Sequence, residues 1–338
     1  MAGAKSWASI IPWSKNKRES ATLESAAGAS HSTNAMVRKL LTKPTWWWET
    51  RRRYPVRDRY RELPPIPVVP RPSRFAVLTT PRSLADAMWT AWSWYRFLCA
   101  HGFELQLAVD GELSDGELTR VRALFPGISV YAVQSVYPDL CKLQPSLGSF
   151  LNQHPMGRKL GLSLALSLQG GVLCSDNDVL AFLPPDELLS CVERNIPAYF
   201  VEPLDGTRDP HIVARAKTMG LEYISRFNAG LLYIPRGAVS IELAAELLED
   251  WQPPVDWFTE QTVQSVLMRK ADAQPLPEDR YVVSARRQFY WETDEDYGKI
   301  AARHFVSPVR HVMYRYGIPL VLRQSKEFAS PAPRRLPY

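Results

Sequence analysis

Two carboxylates stand one residue apart where an apolar run gives out: Gly171-Val172-Leu173-Cys174 leads into Ser175-Asp176-Asn177-Asp178-Val179-Leu180. On extended chain, alternate side chains point the same way, so Asp176 and Asp178 can converge on one point. Two negative charges held that close repel each other unless a cation lies between them. Hard oxygen ligands at a strand end suit Mg²⁺ or Mn²⁺, which in turn bridge to phosphate oxygens. The same D-x-D also fits an exposed acidic turn. The apolar run before it and Leu183-Pro184-Pro185 after it tilt the reading towards a site. The chain has no G-x-G-x-x-G, G-x-x-x-x-G-K-[ST], H-E-x-x-H or G-x-S-x-G, so the common dinucleotide, P-loop, zincin and hydrolase solutions are excluded.

The elements that must hold these carboxylates can be read from period and punctuation. Phe75–Thr79 is a short apolar run closed by Thr80-Pro81, a first strand. Ser83–Cys99 has helical spacing, with Leu84, Met88, Trp92, Tyr95 and Cys99 on one face and Ser83 as N-cap. Trp89, Trp92 and Trp94 on it are read as packing residues and not as a sugar platform. Leu105–Val109 is a second strand. Ser114–Leu124 is a helix opened by a capping box of Ser114 and Glu117, and Ile128–Val133 a third strand. A helix from Pro155 to Leu168 stops at Gly170-Gly171, before the strand that ends in Asp176. Strands alternating with helices predict an α/β fold: a mostly parallel sheet with helices on both faces and ligands beyond the carboxyl ends of its strands.

The ten residues Gly171–Leu180 resemble the D-x-D region of GT-A glycosyltransferases, whose fold is a Rossmann-like nucleotide-diphospho-sugar transferase fold. They are most similar to glycosyltransferase family eight and its bacterial relatives. Four further segments match in order. Arg158-Lys159, with Lys159 lying 17 positions before Asp176, fall where the family carries a donor-binding cation. Phe227-Asn228-Ala229-Gly230-Leu231-Leu232, with Asn228 lying 52 positions after Asp176, resembles the N-A-G segment beside the donor sugar. Glu260-Gln261 resembles the acidic-residue-plus-Gln pair at the reacting sugar. His304-Phe305-Val306-Ser307-Pro308-Val309-Arg310 resembles the closing H-Y-x-G-x-x-K segment, whose His completes the metal site. Ser307 and Arg310 stand where the family prefers Gly and Lys, and Thr79-Thr80 lacks the acidic residue that often contacts the base.

The resemblance implies a metal-dependent transfer of a sugar from a nucleoside-diphosphate sugar, UDP being favoured by resemblance alone, to a saccharide or other hydroxyl acceptor. Asp176, Asp178 and His304 would hold Mn²⁺ or Mg²⁺. Arg158, Lys159, Thr79, Asn228, Ala229, Gly230 and Arg310 would bind the donor, and Glu260 and Gln261 would face the reacting sugar. Bland alternatives stand beside each role. Lys159 is surface charge if it points outward, Thr259 can cap a helix that Glu260 merely complements, and Asn228 can cap a turn. His311 competes with His304 as the ligand, while His154 reads as local helix-start structure. Phe289-Tyr290-Trp291-Glu292 could stack an acceptor. A nucleotidyltransferase would need a basic, glycine-rich phosphate loop after the first strand, and Leu78-Thr79-Thr80-Pro81-Arg82 is a poor one. A non-catalytic binding protein has no physical need to retain Asp176, Asp178 and His304 together.

Charge separates the ends from the body. The 338-residue chain has 41 basic and 35 acidic residues. Residues 1–74 carry 15 basic and 5 acidic, and residues 323–338 carry 4 and 1, so the body is acidic, with 22 basic against 29 acidic. Nucleic acid is therefore not an expected partner. The boundaries expected are a disordered 1–45, a Trp/Arg arm with a Pro-rich spacer over 46–74, a GT-A catalytic domain over 75–322 and a basic, Pro-rich tail over 323–338. Trp46-Trp47-Trp48 beside Arg51-Arg52-Arg53 suits peripheral contact with an anionic membrane; the preferred alternative is an arm packed on the folded body. Four cysteines without a C-x-x-C pair, no N-x-[ST] acceptor and no leader or spanning segment favour a cytoplasmic protein. The most apolar stretch, between Lys159 and Asp176, offers 16 uncharged residues against the ~20 that a membrane helix needs.

Overall fold

The computed structural model describes residues 51, 53–203, 208–251, 256–283, 296–306 and 309–329. All of them belong to the unit Trp46–Tyr338. The expected disordered 1–45, Trp46–Trp48, the Phe289–Glu292 aromatics and Ser307 lie outside the described residues, as does most of the tail.

The strands are β1 (Ser73–Thr79), β2 (Phe103–Val109), β3 (Ser129–Ala132), β4 (Val172–Ser175), β5 (Val179–Ala181), β6 (Ala198–Val201), β7 (Phe227–Ile234), β8 (Gln274–Pro275), β9 (Tyr281–Val283) and β10 (Ala302–His304). Seven form one sheet in the order β3-β2-β1-β4-β7-β6-β8. Its β3-β2-β1-β4 half is parallel, whereas β7 runs antiparallel to both β4 and β6. Alternation along the strands builds two cores. Phe75 and Val77 face one layer with Leu105, Leu107 and Leu173, while Ala76, Ala108, Val172 and Cys174 face the other. The first layer is covered by α1 (Leu84–Leu98). After α2 (Asp115–Leu124) come α3 (Pro138–Leu143), α4 (Pro145–Gln153) and α5 (Pro155–Gln169), then α6 (Asp186–Glu193), α7 (Pro210–Thr218), α8 (Ile241–Leu247), α9 (Thr259–Lys270) and α10 (Ile318–Ala329). The second layer carries α5 and α9, tied by a 3.3 Å hydrogen bond from Gln264 Nε2 to Ser163 Oγ. No helix among the described residues is long and apolar enough to cross a membrane.

Several local expectations hold in detail. Both halves of the Ser114–Glu117 capping box are formed. Trp89, Trp92 and Trp94 are fully buried, each indole N–H donating to a backbone carbonyl, of Arg57, Pro64 and Val179 respectively. One local expectation is corrected. Ser83 flanks α1 but makes no cap bond; its hydroxyl is used by the preceding turn, which Thr80 caps.

The segments flanking the expected catalytic domain are also structured where they are described. Tyr54–Glu62 forms a 3-10 helix, and Leu63, Ile66 and Val68 of the Pro-rich stretch are buried, with Ile66 and Val68 bonded through their N–H groups to Leu124 and Pro126 carbonyls. At the other end α10 runs to Ala329 with Ser325 buried, past the position 323 where the tail was expected to begin.

A second, three-stranded sheet, β5-β10-β9, matters most for chemistry. Antiparallel pairing sets His304 opposite Val179, and the Phe305 N–H donates to the Asp178 carbonyl at 2.9 Å. Chain 126 positions further on is thereby returned to the end of β4. On the other side, β7 lies beside β4, with the Asp176 N–H donating to the Gly230 carbonyl at 2.8 Å.

Candidate metal centre and donor site

Asp176, Asp178 and His304 converge as these pairings require. Each offers one ligand atom, and the three atoms lie within 4.8 Å of one another. His304 Nε2 is 3.2 Å from Asp178 Oδ1 and 3.8 Å from Asp176 Oδ2. Asp178 and His304 are buried, whereas the Asp176 side chain keeps 27% of its exposure, so the cluster opens on the Asp176 side. His311, the rival histidine, is buried outside the cluster.

The imidazole is held in one tautomer. Asn228 Oδ1 accepts from the Gly230 N–H at 2.9 Å, which fixes which end of the amide is oxygen, and it also lies 2.9 Å from His304 Nδ1. Nδ1 must therefore carry a proton, so Nε2 is the nitrogen that faces the carboxylates and that offers its lone pair to a cation once it is deprotonated. Asn228 is oriented in turn by donating Nδ2–H to Glu202 Oε2 at 2.8 Å. Such a relay behind a histidine is what a metal ligand requires. With two carboxylate oxygens and one imidazole nitrogen, the donor set fits a divalent cation.

Two cations border the cluster. Lys159 on α5 is buried and pairs with Asp176 at 2.7 Å. Burial works against its charge, but Asp176 and Glu260 outweigh that and raise its pKa. Arg310 pairs with Asp178. Burial would raise the Asp178 pKa, yet Arg310 and His304 bring it down to about 2. For His304, burial is outweighed by Asp178 and Asp176, and its pKa rises.

The other expected site residues fall as follows. Arg158 pairs with Asp110, just beyond β2. Thr79 is buried at the end of β1, its hydroxyl bonded to the Thr80 carbonyl and to Ser83 Oγ. Gln261 Oε1 accepts from the Ala229 N–H at 3.2 Å. Thr259 does not cap α9; its hydroxyl bonds the Asp209 carboxylate and the Asp256 carbonyl. His154 accepts from the Met156 N–H, as local helix-start structure. The side chain of Asn228, assigned to the donor by resemblance, also bonds His304, Gly230 and Glu202. Glu202 itself carried no signal in the sequence, being a lone acid after an apolar strand.

Gly230 has a reason beyond backbone approach to a ligand. A Cβ built there meets His304 Nδ1 at 2.3 Å and Cε1 at 2.4 Å. Gly230→Ala is expected to push the imidazole off Asn228 and weaken Mn²⁺ binding at least about tenfold, with an unfolding midpoint close to wild type; calorimetric Mn²⁺ titration checks it.

Glu260 is buried, and its Oε1 has no hydrogen-bond partner among the described residues. Burial pushes its carboxyl up to about 7, against the pull of Lys159 and with help from Asp176. A folded-state pKa above the unfolded one stabilises the protein at low pH and loses that contribution as pH rises. In chelator-treated protein, stability should fall by roughly 3 kcal/mol between pH 4.5 and pH 8 on this group's account. Urea midpoints read the difference between wild type and Glu260→Gln. Parallel pH curves for the two proteins would remove the assignment.

The chain is similar to the galactosyltransferase LgtC solved with donor and acceptor sugar analogues: TM-score 0.50, 17% identity, 77% of this chain and 98% of that one covered. The bifunctional glycosyltransferase WbbM in its apo form is similar at TM-score 0.50 and 11% identity, over 78% of this chain and 53% of that one. The fold is the GT-A fold. No family model matches the chain, and no curated protein matches it in sequence. Within the GT-A fold, the metal-centre candidate lies at the carboxyl end of β4, a central strand of the main sheet.

Proposed function

We propose that the chain is a metal-dependent glycosyltransferase that moves a sugar from a nucleoside-diphosphate sugar to a hydroxyl acceptor. The observation that carries this is the convergence of Asp176, Asp178 and a tautomer-fixed His304, beside Lys159, at the carboxyl end of β4 in a GT-A fold. The ordered likeness of five segments to glycosyltransferase family eight supports the same reading and favours UDP as the nucleotide.

Transfer forms a bond from the acceptor oxygen to the sugar's anomeric carbon, breaks the bond from that carbon to the diphosphate, and releases the acceptor's proton. The barrier is set largely by negative charge gathering on the diphosphate. Asp176, Asp178 and His304 would hold a divalent cation, which would supply positive charge there. Lys159 fixes the Asp176 carboxylate, the Glu202–Asn228 pair fixes the imidazole, and Arg310 adds a second cation. Glu260, with its unpartnered Oε1, and Gln261 are assigned to the sugar. Lys159 and Arg310 already balance the two aspartates, so an added divalent ion is surplus charge until a diphosphate arrives. Metal and donor should therefore bind cooperatively.

Calorimetry with a panel of nucleotide sugars tests this. Binding of one donor that appears with Mn²⁺ and disappears with chelator is expected, with slow release of the nucleoside diphosphate by water. Donor binding with no metal requirement, or no donor binding at all, contradicts the reading.

A further inference from the structure

A line of alternating buried charges runs from the amino-terminal 3-10 helix into the metal centre. Arg57 on that helix donates through Nε to Asp86 Oδ1 at 2.7 Å, and both side chains are about 5% exposed. Asp86 Oδ2 takes the Tyr314 hydroxyl at 3.2 Å and lies 3.6 Å from Arg310 Nη1. The other terminal nitrogen of Arg310 pairs with Asp178. Arg310 Nε has no hydrogen-bond partner among the described residues, so this guanidinium is shared between two carboxylates and saturated by neither. Arg57 is pinned independently, by the Arg82 carbonyl at 3.0 Å and by the Tyr54 ring 4.1 Å beneath it. Nothing in the basic run around Arg57 marks it out in sequence.

We propose that Arg57 and Asp86 are positioning residues for Arg310, and that through them the segment Tyr54–Glu62 sets how firmly Asp178 is withheld from an incoming divalent cation. The inference rests on the metal-dependent reading of Asp176, Asp178 and His304. Its logic is competition: Asp86 and Asp178 draw on one guanidinium, and whatever satisfies Asp86 elsewhere leaves more of Arg310 for Asp178. Removing a partner of Asp86 and removing the Asp86 charge must then have opposite effects on the metal.

The test titrates Mn²⁺ alone into the full chain and reads the free ion by electron paramagnetic resonance. Arg57→Met leaves Asp86 with only Tyr314 and Arg310, draws Arg310 away from Asp178, and should tighten Mn²⁺ binding about tenfold; Arg57→Lys should restore most of the wild-type value. Asp86→Asn releases Arg310 to Asp178 and should weaken binding by about the same factor. Tyr314→Phe, a near-isosteric change, should shift affinity in the direction of Arg57→Met by a smaller factor, and it keeps the test open if Arg57→Met does not fold. General loss of packing weakens binding in every variant, so opposite signs separate positioning from structure. Weakening in all variants, or no shift in folded Asp86→Asn and Tyr314→Phe, overturns the proposal. The titrations are repeated with UDP present, and a wild-type chain that takes up no Mn²⁺ in either case overturns the metal reading itself, and this inference with it.

Discussion

Asp178→Asn should lose Mn²⁺ binding and lower metal-dependent donor turnover by roughly a hundredfold or more. The substitution keeps the size and shape of the side chain but removes the charge that Arg310 and His304 both face. Asp178 is the buried member of the carboxylate pair and carries a pKa of about 2, so it is ionised throughout the working range and cannot be replaced by a neutral amide at any useful pH. Arg310 retains Asp86 after the change, which limits the unfolding cost of stranding a buried cation. Calorimetric Mn²⁺ titration and nucleoside diphosphate release, measured on one preparation, check the two halves together. Metal affinity within about threefold of wild type in the folded variant would show that Asp178 is not a ligand.

Trp94→Ala is expected to have the largest effect on stability, about 3–5 kcal/mol by urea unfolding. The indole is fully buried between α1 and the main sheet, with its ring 6.3 Å from that of Phe75. Its N–H donates to the Val179 carbonyl at 3.1 Å, which ties α1 to β5 one residue after Asp178. The loss therefore combines a large cavity with an orphaned buried carbonyl next to the site. Trp94→Phe should cost less and leave Mn²⁺ affinity nearly unchanged. A cost below about 1 kcal/mol for Trp94→Ala would mean that the layer can collapse around the missing ring, contrary to its packing.

Short-range signals carried much of the fold. The apolar run of β1, the Ser114–Glu117 box and the Gly170-Gly171 stop are all local, and the sequence shows them directly. So is the D-x-D at the end of β4, because apolar strand followed by paired acids is a pattern within ten residues. What sequence could not show is why particular neighbours are needed. Gly230 looks like freedom for a ligand, and only the register of β10 reveals that it makes room for His304. Asn228 looks like a donor contact, and only the fold shows its amide bonding His304, Gly230 and Glu202. Asp86 in the first turn of α1 reads as an ordinary complement to the helix dipole, and Arg57 as one of many surface cations. Their pairing spans 29 residues, and that of Asp86 with Tyr314 spans 228, distances over which no local period survives.

The most direct test of the proposed centre is anomalous diffraction at the manganese edge from a crystal soaked with Mn²⁺ and UDP. One strong peak is expected within coordinating distance of Asp176, Asp178 and His304 Nε2, next to density for the diphosphate. A peak elsewhere, or diphosphate bound at β4 with no anomalous signal among those three side chains, would contradict it.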